Sequence, residues 1–136
     1  MIFFAKPILA MTFGAFLICA ETCRHFDGIL ALPGNWASLP IHDWVAGAFL
    51  VYGGVRSRRD WSKGHVFQVA GWAFCASLFV GAFFTYLEDW SAAIPSEDVI
   101  SERAMLIVIG ALLAVSLCGL VSTIARVPRY EGGHCK

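Results

Sequence analysis

Long apolar runs separated by short polar breaks dominate this chain. Three of them, over residues 4–23, 64–87 and 102–125, have the length of about 20 residues that a membrane-crossing helix needs. The last carries no charge between Ala104 and Ala125. A fourth run, over residues 41–57, is different. Its charge-free core, Trp44–Val55, has twelve residues, about 18 Å of helix at 1.5 Å per residue. A hydrocarbon core is about 30 Å thick, so this helix needs snorkelling flanks, a thinned bilayer or shielding neighbours. The pattern predicts an all-α integral membrane protein. Four transmembrane helices form a compact bundle and a single domain over residues 1–136, with 126–136 a cytoplasmic tail.

The breaks have local causes. Gly28, Pro33, Gly34 and Pro40 interrupt helix between the first and second runs. The piece 28–39 is apolar but too short to span, and is expected at the interface with Trp36 at headgroup depth. Pro95–Ser96 and then Ser101–Glu102 signal the start of the last helix. The first run has the early lysine and apolar core of a signal peptide. However, Ile18 stands where a small residue is wanted, both for a cut after Ala20 and for a lipoprotein cut before Cys19. It is read as an uncleaved helix, with Pro7 tolerated in the first turn and Lys6 snorkelling to the headgroups.

Composition supports the membrane reading. The chain is 58% hydrophobic and 15% charged, with a mean hydropathy of +0.68, whereas soluble domains carry about 25% charged residues. A soluble protein of this make-up would expose large apolar patches. Formal net charge is zero, but the charges segregate. With four crossings, one side holds Lys6, Arg56, Arg58, Arg59, Lys63, Arg126, Arg129 and Lys136 against Asp60 and Glu131. The other holds Arg24 and Arg103 against Glu21, Asp27, Asp43, Glu88, Asp89, Glu97, Asp98 and Glu102. Short loops rich in Lys and Arg stay cytoplasmic. Both termini are therefore expected in the cytoplasm of a plasma membrane, taken to be a bacterial inner membrane. Trp36, Trp44, Trp61 and Trp90 fall at predicted ends, where amphipathic rings settle.

Helices in lipid associate through small residues that let backbones approach. Ala73, Ser77 and Gly81 repeat every four residues in the third helix, and Gly110, Ala114, Cys118 and Ser122 in the fourth. Ala15, Cys19 and Cys23 lie on one face of the first helix, Ala10 and Gly14 on a neighbouring one, and the second offers Gly47, Gly53 and Gly54. These stripes are expected to pack inside the bundle, with a dimer interface as the alternative. The opposite faces, with Phe79, Phe83, Phe84, Leu112 and Leu113, suit lipid or a partner.

Candidate chemistry gathers at the acidic rim. Cys19 and Cys23 are one helical turn apart, as are Glu21 and His25, and His42, Asp43 and Glu88 lie at helix ends on the same side. Imidazole and carboxylate suit zinc, copper or iron, and thiolates favour softer ions. The metal candidates are His25, His42, Asp43, Cys19, Cys23 and Glu88, although the five cysteines follow no zinc-site spacing. Asp43, in the first turn of the short helix, is expected at the mouth of a polar recess with His42 or His25. An ion path is the other candidate, but Gln68 and Thr85, about a turn inside the third run, and the deeper Ser77, Thr12 and Ser116 carry no charge. Haem is a weaker candidate, because His25 and His42 share a side but sit near the rim and His65 is on the opposite side; no phosphate-binding glycine loop is present, and the basic residues flank membrane segments instead of forming a nucleic-acid surface. No cofactor is predicted. The pattern points to a non-catalytic accessory or scaffolding subunit, its partners the lipid bilayer and either a membrane protein or a second copy. The alternative is metal binding or proton- or ion-coupled transport through the acidic rim.

The charge pattern yields a topology test. A reporter active only in the cytoplasm is expected to work when fused after Lys136 or within residues 57–63, and to fail within 95–99. Replacing Arg56, Arg58, Arg59 and Lys63 together should scramble orientation. A signal from the basic segment on the far side would overturn the assignment.

Overall fold

The computed structural model describes residues 2–26, 40–91 and 99–125. Among these residues the chain is all-helical: α1 (Ile2–Arg24), α2 (Ile41–Arg59), α3 (Trp61–Ser91) and α4 (Val99–Ile124). Successive helices pack side by side and antiparallel. Three are long and apolar enough to cross a membrane, through Pro7–Arg24, Trp61–Glu88 and Arg103–Ile124. The helix α2 is not among them, because charges crowd both its ends. The expected interfacial piece 28–39 and tail 126–136 lie outside the described residues.

The centre of the packing is α2, pressed between α1 and α3. A β-carbon added at Gly47 would lie 2.6 Å from the Ile18 side chain and 2.7 Å from the Gly14 carbonyl oxygen. One added at Gly53 would lie 2.7 Å from the backbone nitrogen of Gln68. Its neighbour Gly54 faces the other way, onto Met11 and the Pro7 carbonyl of α1. Adjacent residues on a helix point about 100° apart, so two consecutive glycines let two different helices approach. Leu50, fully buried, fills the space left by Gly14 of α1 and Gly71 of α3. Around it lie Ala10, Phe13, Leu17, Ala46, Trp72, Cys75 and Phe79. The Phe13 ring is 5.2 Å from Trp72 and 6.4 Å from Phe79, the latter edge-on, geometries that aromatic pairs favour.

The fourth helix is joined differently. It packs on α3, where Trp72 lies against Gly119: a β-carbon there would be 2.5 Å from the indole. Trp72 is 2% exposed and touches both Phe13 of α1 and Gly119 of α4.

Two expectations are corrected. The basic segment 57–63 is not a loop. Arg56, Arg58 and Arg59 form the last turn of α2, where cations are favoured by the negative end of the helix dipole. The connection is Asp60 alone. Its amide donates to the Arg56 carbonyl at 2.9 Å, and its carboxylate accepts from the Ser62 amide at 3.1 Å and the Ser62 hydroxyl at 2.7 Å. It thus closes one helix and caps the next. The Ser62 hydroxyl, with Lys63 at 3.3 Å, holds the Asp60 carboxyl below its ordinary range. Capping starts α3 at Trp61, three residues before the expected boundary. The second correction concerns the stripes. Ala73, Ser77 and Gly81 of α3, Ala15, Cys19 and Cys23 of α1, and Ala114 and Cys118 of α4 are all exposed. Phe79, expected on the lipid side, is buried instead.

Substitutions at two glycines separate these faces. Gly53→Ala is expected to cost about 1–3 kcal/mol, the usual range for overpacking, because the obstruction is backbone. Gly81 has no atom within 4 Å of an added β-carbon. Gly81→Ala should be neutral or stabilising by about 0.5–1 kcal/mol, since glycine within a helix is unfavourable. The apparent Tm in one detergent checks both; equal losses would misplace α3.

Candidate functional site

The C-terminal ends of α1 and α3 meet the N-terminal ends of α2 and α4. Hydrogen bonds fix the first pair. The Thr22 hydroxyl donates to the Ile18 carbonyl at 2.6 Å and accepts from Trp44 Nε1 at 3.0 Å. A tryptophan in the first turn of α2 is thereby tied to the last turns of α1. The next residue back, Asp43, then faces the gap between helices. The N-cap residue Pro40 offers no side-chain hydrogen bond, but its carbonyl accepts from the Trp44 amide at 3.0 Å.

The gap is a recess of about 420 Å³ reached by all four helices. Its polar end is formed by Glu21 and Arg24 of α1, Asp43 of α2 and Tyr86 of α3. Its apolar walls are formed by Phe79 of α3 and by Ile109 and Leu112 of α4, with Met105 of α4 nearer the polar end. Glu21 is engaged twice: Arg24 lies 3.4 Å from one carboxylate oxygen and His25 Nε2 lies 3.5 Å from the other. Asp43 is half-buried and makes no ion pair among the described residues. Asp43 is thus a half-buried carboxylate beside an apolar wall, a position that a cation in the recess would stabilise.

The rim residues singled out above are placed as follows. Asp43 lines the recess. His25 is half-buried and pairs with Glu21. His42 and Glu88 are exposed, as are Cys19 and Cys23, and none of these lines the recess. The Asp27 and Asp89 side chains lie outside the described residues. Among the described residues no three His, Cys, Asp or Glu side chains come close enough to hold a metal ion. Arg24 and Tyr86 were not anticipated. Arg24 had a local signal, standing three residues after Glu21 on one helical face. Tyr86 had none, because its position depends on how α3 sits beside α1.

The polar residues inside the helices have local partners. Gln68, 1% exposed, donates through Nε2 to the Gly53 carbonyl at 3.4 Å and so joins α3 to α2. The hydroxyls of Thr12, Thr85 and Ser116 donate to carbonyls three or four residues earlier in their own helices. Ser57 Oγ is buried against Gly64 without a hydrogen-bond partner among the described residues. Gln68, Thr12, Thr85 and Ser116 thus act as fasteners.

No family model, curated protein or solved structure matches this chain.

The donor geometry has a direct check. Glu21 and His25 supply at most two ligands side by side, and thermodynamically robust transition-metal sites use three or four. His25→Ala and Asp43→Asn are therefore expected to leave the zinc, copper and iron content of the purified protein unchanged, measured with and without chelator. Stoichiometric metal lost from either variant would show that the rim converges on an ion.

Proposed function

We propose that this chain is a four-helix integral membrane protein that serves as a non-catalytic accessory or scaffolding subunit. In this reading α2 is the fourth crossing. It is shielded by α1 and α3, which compensates for a charge-free core too short to meet lipid alone. Both termini are cytoplasmic, and the membrane is the bacterial inner membrane. The antiparallel succession supports that orientation. It places residues 7 and 124 at the same end of the bundle as Arg58, Arg59 and Lys63, the basic end that the positive-inside rule assigns to the cytoplasm.

The observation that carries the subunit reading is the outward stripe on α3. Ala73, Ser77 and Gly81 are exposed, and nothing lies within 4 Å of an added β-carbon at Gly81. A row of small side chains with no helix against it among the described residues is where another helix can come close. The flank formed by α4 also lacks cover: only 11% of its apolar stretch is buried, and Ile107 and Val121 are 71% and 65% exposed. That side is suited to lipid.

Crosslinking tests the assignment. A photoreactive residue at position 77 is expected to capture a membrane-embedded partner or a second copy in native membranes, while one at position 107 captures lipid. Gly81→Trp should abolish the capture without lowering the apparent Tm. Position 77 yielding only lipid adducts, in membranes where the protein is folded, would overturn the subunit reading.

A further inference from the structure

We infer that the recess between the four helices is a binding site for an amphiphile with a protonated amine at its head and an aliphatic tail. It asks for no partner protein and no metal, and it lies apart from the outward stripe on α3.

The shape of the recess sets the tail. From Met105 at its polar end to Leu112 in its depth is seven residues of α4, about 10 Å along a helix. The walls over that distance are aliphatic and aromatic. A volume of about 420 Å³ falls within the range of small-ligand pockets, about 300–1,000 Å³. A chain of methylenes is the occupant such walls accept, since each buried CH₂ is favourable.

The charges set the head. Glu21 has Arg24 at 3.4 Å and His25 at 3.5 Å. Arg24 pairs with Glu21, and its side chain is 65% exposed, so solvent screens the positive charge it offers to the recess. Asp43 remains, half-buried and without an ion-pair partner among the described residues. A neutral head would seal this carboxylate in apolar surroundings without compensation, which is costly. A head carrying a carboxylate or phosphate and no cation would add repulsion. An ammonium group supplies three donors and the missing charge, forming a charge-assisted hydrogen bond with Asp43 while Tyr86 closes the same end. Asp43 stands in the first turn of α2, where the positive helix end favours a carboxylate. An ammonium head is carried both by alkylamines and by amine-headed phospholipids.

The experiment uses the full chain purified in a non-ionic detergent. Decylammonium, decanol and decanoate share one tail and differ in head charge. Binding is followed by native mass spectrometry and by the shift in apparent Tm. Decylammonium is expected to bind saturably and most tightly. Asp43→Asn should weaken it about tenfold or more, the loss of one charge-assisted hydrogen bond, and should leave decanol unaffected. Asp43→Glu should retain the preference. Ala82→Phe, which fills the recess from α3, should remove binding of all three probes, and serves also if Asp43→Asn proves unstable. A second arm distinguishes the sources: after reconstitution into equal parts phosphatidylethanolamine and phosphatidylglycerol, enrichment of the former in the re-extracted protein points to a lipid amine. Even recovery of the two lipids, with decylammonium binding intact, points to a soluble one. Equal affinity for the three probes, absence of saturable binding, or decylammonium binding unchanged in both Asp43→Asn and Ala82→Phe overturns the inference.

Discussion

The structure depends on how closely the backbone of α2 lies to those of its two neighbours. Gly47 and Gly54 admit α1, and Gly53 admits α3, at distances where a single added carbon would meet main-chain atoms. Close approach in turn makes the weak forces sufficient. Dispersion falls off steeply with separation, and Gln68 reaches the Gly53 carbonyl only because the two helices nearly touch. Leu50 then becomes a wedge held by glycines on two sides, so the most buried aliphatic side chain sits on the least apolar helix. The glycines of α2 face its neighbours, and the side chains its middle turns outward are Val45, Ala48, Tyr52 and Val55.

The outer helices follow from that centre. Phe13, Trp72 and Phe79 form a second layer on the α1 and α3 faces that α2 leaves open, and Trp72 is wide enough to meet α4 as well. The helix α4 gains one neighbour and keeps most of its surface outward. The recess is a consequence of this unequal packing. Where α1 and α2 are clamped by the Trp44–Thr22 bond and α4 leans mainly on α3, a space remains between them, lined by Asp43.

Much of this was legible from the residues alone, and the failures have a physical pattern. Helix number followed from run length and from the segregation of Lys and Arg. The importance of Gly47, Gly53 and Gly54 followed from the rule that small residues permit close approach. The same rule failed for Ala73, Ser77 and Gly81. Spacing of four identifies a face of a helix, yet in an apolar chain both faces are apolar and nothing local says which turns inward. The larger residues decided it: Trp72, Cys75 and Phe79 occupy the inner face of α3. The segment 57–63 was misjudged because charge density usually marks a loop, while here the last helical turn accepts cations and Asp60 caps the next helix at once. Asp43 was expected at a polar recess with His42 or His25, from the helix dipole, the shortness of its helix and sequence adjacency; Asp43 lines the recess and neither histidine does. Arg24 and Tyr86 escaped because their convergence is tertiary.

The one-residue connection at Asp60 has a further consequence. Each residue added to a helix turns it by about 100°, and a connection this short has no slack in which to absorb an extra residue. Lengthening it by one would swing Gln68 away from Gly53 and Gly71 away from Leu50, and the wedge would meet side chains instead of gaps. The rotational phase of α3 against α2 is therefore encoded in chain length at this point. An insertion there would act as a frameshift of the three-dimensional packing, even with every side chain left as it is.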